Sequence, residues 1–108
     1  MQTNIKATGI IITPAVSDYL DEKLSALKKL IDVNDDTVKI QVEIGKTTKH
    51  HQSGDDLFRA EINIEIGGDY LRAEAEMSDL FPAIDIMKDK ILDKLRERKE
   101  KCITKRRA

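Results

Sequence analysis

The pattern that most restricts this chain is a change of hydrophobic period, from helical to extended and back again. Val16, Leu20, Leu24, Leu27 and Ile31 recur at three- and four-residue steps, which lays one apolar stripe down a helix. Thr13 and Pro14 open it, a hydroxyl N-cap followed by proline at the first helical position. Asn34, Asp35 and Asp36 are expected to close it. From Val38 the period falls to two. Val38, Ile40, Val42 and Ile44 alternate with Lys39, Gln41 and Glu43. Phe58, Ala60, Ile62, Ile64 and Ile66 alternate with Arg59, Glu61, Asn63 and Glu65. Leu71, Ala73, Ala75 and Met77 alternate with Arg72, Glu74 and Glu76. Each segment reads as a strand buried on one face.

Gly67-Gly68-Asp69 joins the last two strands in a tight hairpin. The stretch Gly45–Asp56 is longer and polar, a loop available to function. Thr3–Ala7 supplies a short first strand. Ser78 or Asp79 caps a second helix, with Pro82 tolerated in its first turn. Ile84, Met87, Ile91, Leu95 and Cys102 form its stripe, and it runs to about Lys101 or further, with a fraying tail from Thr104. The order β-α-β-β-β-α predicts an α+β fold: a four-stranded sheet with two helices packed on one face, the other face open to water. A chain of 108 residues makes one domain over 1–108, without repeat or linker.

Some function classes lack their parts. Ile10–Ile12 is the longest apolar run near the N-terminus and is far too short to span a membrane, and no signal pattern precedes it. The expectation is a soluble, cytoplasmic protein. Cys102 is the single cysteine, so there is no disulfide and no cysteine zinc site; it reads as a small apolar residue on the helix. His50 and His51 are neighbours with no further histidine, short of the three or four ligands a metal needs. No Gly-rich phosphate loop occurs, and no Ser or Cys nucleophile has a base beside it. Neither cofactor, metal nor small-molecule substrate is expected, and the chain does not read as an enzyme.

Net charge is only −1, but the charges are segregated. Residues 34–77 hold ten acids and five bases, a balance of −5, whereas residues 78–108 hold six acids and ten bases, +4. The open sheet face inherits Glu43, Glu61, Glu65, Glu74 and Glu76, so it should repel phosphate. With no exposed aromatics anticipated there, base stacking on the sheet is excluded. The second helix is the better candidate. At about 100° per residue, Lys90, Lys94, Lys101 and Lys105, with Arg98, line one flank of its stripe, and Lys88, Lys99 and Arg106 the other. Asp85, Asp89, Asp93, Glu97 and Glu100 fall roughly opposite the stripe. Arg96 adds to a terminal segment, 96–108, with seven bases against two acids. Lys23, Lys28 and Lys29 on helix one extend the basic surface, and Lys46, Lys49 and His50 are possible loop contacts. A basic row along a helix suits a nucleic-acid backbone. A solvated helix laced by Asp85–Lys88, Asp93–Arg96 and Glu97–Lys101 pairs suits the same pattern, and patterning alone leaves both open.

Asn4-Ile-Lys6, then Ile12-Thr-Pro-Ala15, Tyr19 and Lys23, resemble the opening of ribosome hibernation-promoting factors, the ribosome-associated translation inhibitor family. Asp79-Leu-Phe-Pro-Ala-Ile-Asp85 followed by Asp89-Lys90, and the strand segment Leu71-Arg-Ala-Glu-Ala75, are similar to that family too. The likeness covers nearly the whole chain. It implies a fold akin to a double-stranded RNA-binding domain. It also implies docking on the small ribosomal subunit and its 16S rRNA, in the messenger and transfer RNA channel, with translation stopped by occlusion. Lys23, Lys90, Arg96, Lys99 and Lys101 keep the family's basic character, and Arg98 stands where His is common. Ala26 stands where many relatives have Lys, and Asp93 where Arg is frequent; Lys28, Lys29 and Lys94 lie near enough to compensate. The chain is similar to the short members, without the dimerisation domain of the longer ones, so a monomer off the ribosome is expected. A general binder of structured RNA and a protein-interaction module are the alternatives, separable by salt titration.

Overall fold

The computed structural model describes residues 2–31, 37–47 and 57–107, with side chains as far as Lys101. The elements are β1 (Gln2–Thr8), α1 (Pro14–Lys28), β2 (Lys39–Thr47), β3 (Leu57–Ile66), β4 (Asp69–Met77) and α2 (Leu80–Arg107). The sheet order is β1-β2-β3-β4. β1 and β2 are parallel, with Ile5 opposite Val42, so α1 is the crossover a parallel pair requires. The two later pairings are antiparallel, with Ile62 opposite Val42 on one side and Ala73 on the other.

Local chemistry accounts for the boundaries. The Thr13 side chain accepts from the Val16 N–H at 3.2 Å, and Pro14 follows it. At the other end of α1, Leu30 N–H donates to the Leu27 carbonyl and Ile31 N–H to that of Lys28. These tightened bonds end the helix earlier than Asn34 and carry Ile31 back into the core; residues 34–36 lie outside those described. Gly67 and Gly68 have φ of 55° and 83°, the left-handed pair a two-residue hairpin loop requires. β2 continues through Gly45, Lys46 and Thr47, where the polar composition reads as a loop, because Gly45 to Thr47 still pair with Leu57 to Arg59. The helical backbone of α2 reaches Arg107, through the segment expected to fray.

Alternation does the rest. Ile40, Val42 and Ile44 of β2, Ala60, Ile62, Ile64 and Ile66 of β3, and Ala73 and Ala75 of β4 are buried on one face. Val16, Leu20, Leu24 and Leu27 of α1 and Ala83, Ile84, Met87, Ile91 and Leu95 of α2 close over them. Small Ala73 and Ala75 leave room for α2, which lies against β3 and β4, while α1 packs beside it. Both helices therefore cover one face. Among the described residues no helix is long and apolar enough to cross a membrane.

Candidate nucleic-acid interface

The bases of α2 divide into two flanks with different neighbours. On the β4 side, Lys90 donates to the Glu74 carbonyl at 3.1 Å and Lys94 to the Arg72 carbonyl. Among the described residues β4 is an edge strand with β3 alone beside it, so these carbonyls would otherwise face solvent. Four residues of helix are matched against two of strand, the two elements running antiparallel. Arg98 is next in the series, and its Nε lies 2.9 Å from an Asp69 carboxylate oxygen, clasping the Gly67-Gly68 turn. Lys101 follows with no carboxylate partner among the described residues. A groove of about 460 Å³ runs between Asp69–Arg72 and the Lys94–Lys101 side of α2, and continues to Lys90.

A carbonyl oxygen orients an ammonium without cancelling its charge. Lys90 and Lys94 are thus fixed in place while remaining full positive charges. The opposite flank behaves otherwise. Lys23 of α1 lies 3.3 Å from Asp85, and Lys88 lies 2.8 Å from Asp89. Asp85 also accepts a hydrogen bond from the Tyr19 hydroxyl, and the Lys23 ammonium sits 4.9 Å from the Tyr19 ring centre. Phe81 meets Tyr19 edge-on, ring centres 4.8 Å apart. The hydrogen bond to Asp85, then burial, pushes the Tyr19 hydroxyl up to about 12. The same bond, with Lys23 assisting, holds the Asp85 carboxyl below its usual range. Asp85 therefore faces α1 and joins the helices, rather than lying opposite the apolar stripe as expected. Its position, about 120° round the helix from Ile91, is on the flank toward α1.

Of the three expected helical pairs, Asp93–Arg96 forms, at 3.8 Å. Asp85 and Lys88 take the other partners just named, and Glu97 has no ion pair with Lys101. Lys99, Lys28 and Lys29 have no carboxylate partner among the described residues. Lys46 lies at the end of β2, exposed, while Lys49, His50 and the side chains of Cys102, Lys105 and Arg106 lie outside the described residues. Among the described residues no three His, Cys, Asp or Glu side chains converge to hold a metal ion.

The open sheet face is less acidic than the glutamates alone suggest. Lys6, Lys39, Arg59 and Arg72 share it with Glu43, Glu61, Glu65, Glu74 and Glu76. Arg72 lies 3.0 Å from Glu61 and 3.1 Å from Glu74; Arg59 lies 3.2 Å from Glu61 and also pairs with Glu74. The Arg59 hydrogen bond comes first in holding the Glu74 carboxyl below its usual range. Parity in the sequence already assigns both arginines to this face. Tyr70 corrects the expectation of no exposed aromatic: it stands opposite Glu65 on this face, 78% exposed. It is a single ring at one corner, not a stacking platform.

The family described as sigma 54 modulation protein / S30EA ribosomal protein matches residues 3–102. The ribosome hibernation promoting factor of Klebsiella oxytoca is 32% identical over 102 residues, covering 94% of this chain and 96% of that one. The ribosome hibernation promotion factor of Picosynechococcus is 27% identical over 106 residues, 98% of this chain but 53% of that protein, so this chain spans about half its length. Among solved structures, the N-terminal domain of Thermus thermophilus Protein Y superposes with a TM-score of 0.69 at 26% identity, over 87% of this chain and 93% of that one.

Proposed function

The chain belongs to the sigma 54 modulation protein / S30EA ribosomal protein family, and from that premise we propose that it is a ribosome hibernation factor. It binds the small subunit in the channel for messenger and transfer RNA, lies against 16S rRNA, and silences translation by occupying that space. No chemistry is required of it, only affinity. It works in the cytoplasm as a monomer off the ribosome, and takes no small-molecule substrate and no membrane.

The observation that carries this reading is the β4 flank of α2, where Lys90 and Lys94 are positioned by backbone carbonyls and keep their charge. An ammonium has three donors, so one bond to a carbonyl leaves two for phosphate oxygens. Lys99 and Lys101 continue the positive charge toward the end of α2. Arg96, Arg98, Lys88 and Lys23 already meet carboxylates and contribute less; Lys28 and Lys29 add charge at the end of α1.

Sedimentation of the pure protein with 70S ribosomes, and with separated subunits, tests the reading. Co-sedimentation with the small subunit and a steep loss as salt rises are expected, together with inhibition of translation in vitro. Binding to the large subunit alone, or binding indifferent to salt, would overturn it.

A further inference from the structure

We propose that the free edge of β4, with the groove between it and α2, accepts an extended acidic peptide as a fifth strand. This goes beyond ribosome binding and does not rest on it.

The edge is formed for pairing. Arg72 and Glu74 direct their carbonyls away from β3, since they accept from Lys94 and Lys90. Within an antiparallel ladder the N–H and C=O of one residue point to the same side. The N–H groups of Tyr70, Arg72 and Glu74 therefore face outward as well. Donors and acceptors alternating at the strand period are what an incoming strand satisfies in full. A phosphate backbone offers acceptors only: it can meet the lysines, as proposed above, but it leaves the backbone carbonyls of the edge unmatched, and those a peptide strand can pair.

The lysines then select the peptide. An edge strand guarded by lysine is poor ground for an ordinary strand, because pairing displaces the ammoniums from their carbonyls and leaves them without a partner. A strand with carboxylates at alternate positions repairs that loss. Its side chains on the α2 side meet Lys90, Lys94 and Lys101 as its backbone takes over the carbonyls of Arg72 and Glu74. A neutral carbonyl bond is exchanged for one to a carboxylate, with charge on both partners, which is the stronger. Exposed Tyr70 stands at the end of the groove and provides an apolar surface for one residue of the guest.

An acetylated, amidated hexapeptide of alternating Glu and Val, titrated calorimetrically into the full chain and followed by amide hydrogen exchange, tests the proposal. Saturable binding is expected, with exchange slowed at Tyr70, Arg72 and Glu74. The same peptide N-methylated at every peptide bond keeps its charge but cannot pair, and should bind at least about tenfold more weakly. A Lys-Val counterpart should not bind. Lys90→Gln with Lys94→Gln should also weaken binding about tenfold. Equal binding of the N-methylated peptide would reduce the edge to a polyanion surface and overturn the proposal. So would unchanged exchange at the three amides, or no binding. A uridine hexanucleotide that slows those amides more than the peptide does would assign the edge to RNA instead. Because no ribosome enters the experiment, its failure leaves the sedimentation result untouched.

Discussion

The two flanks of α2 carry the same residue type and meet opposite electrostatic fates. Toward β4, Lys90 and Lys94 rest on backbone carbonyls. Toward α1, Lys88 and the Lys23 that reaches across rest on Asp89 and Asp85. A carbonyl dipole fixes a lysine and leaves its charge to act at a distance, whereas a carboxylate fixes it and cancels the field. Counting lysines along a helix is therefore a poor guide to a phosphate site. What each lysine is held by decides whether it attracts anything.

The difference can be broken most directly from the β4 side. Lys94→Gln with Lys101→Gln should lower ribosome affinity about tenfold or more and make the log-affinity against log-salt slope shallower by roughly 0.7–0.9 for each phosphate no longer neutralised. Circular dichroism should show α2 unchanged. An unaltered slope in the folded double variant would reduce this flank to a solvated face. A smaller, opposite effect is expected on the α1 side. Asp89→Asn frees Lys88, so affinity should rise a few-fold at low salt and the slope should steepen, by roughly the share of one phosphate at most.

The α1 flank should instead register in stability. Tyr19→Phe removes the hydroxyl that donates to Asp85 and should cost about 1 kcal/mol, a melting shift of roughly 4–8 °C for a domain this size. Ribosome affinity should stay near wild type. The pH dependence follows from the same cluster. Asp85 is held below its usual range, so its contribution is complete above the ordinary carboxylate pKa and is lost as pH falls through its lowered folded value. Tyr19 is the reverse case: its contribution holds below its ordinary value of 10.0 and disappears as pH rises toward about 12. NMR titration of the Tyr19 ring should show the delayed ionisation, and Asp85→Asn should bring it back down. The smallest effect is expected on the open face. Changing Glu43, Glu65 and Glu76 to Gln should leave ribosome affinity unchanged or slightly raised, and a large loss in a folded variant would mean that this face touches the ribosome after all.

How much of this is legible in the sequence depends on whether the signal is periodic. β2, β3 and β4, the Gly67-Gly68 hairpin and both helical stripes are, because burial on one face writes a period into the chain. So is the flank assignment of Lys90, Lys94 and Lys101. β1, exposed along nearly its whole length, carries no such period. The bond from Lys94 to the Arg72 carbonyl is not legible, since the acceptor is main chain and leaves no trace in residue type. Asp85 escapes because its partner, Tyr19, lies 66 positions away while local spacing favours Lys88. Tyr70 escapes at the first outward position after the turn, where alternation has only begun. Lys46 reads as loop because Gly45 reads as punctuation, whereas the pairing with β3 continues past it.

The match between α2 and β4 also works as a vernier. Four helical residues advance about 6.0 Å and two strand residues about 6.8 Å, so the two scales drift by roughly 0.8 Å at each repeat. Lys90 and Lys94 fall within tolerance of successive carbonyls. By Arg98 the drift has doubled, and that longer, branched side chain reaches the Asp69 carboxylate beyond the graduation it would have met. At Lys101 the strand has ended. A coincidence of two unequal rulers thus limits how many cations the edge can seat, and hands the next one, unspent, to whatever lies past the end of the sheet.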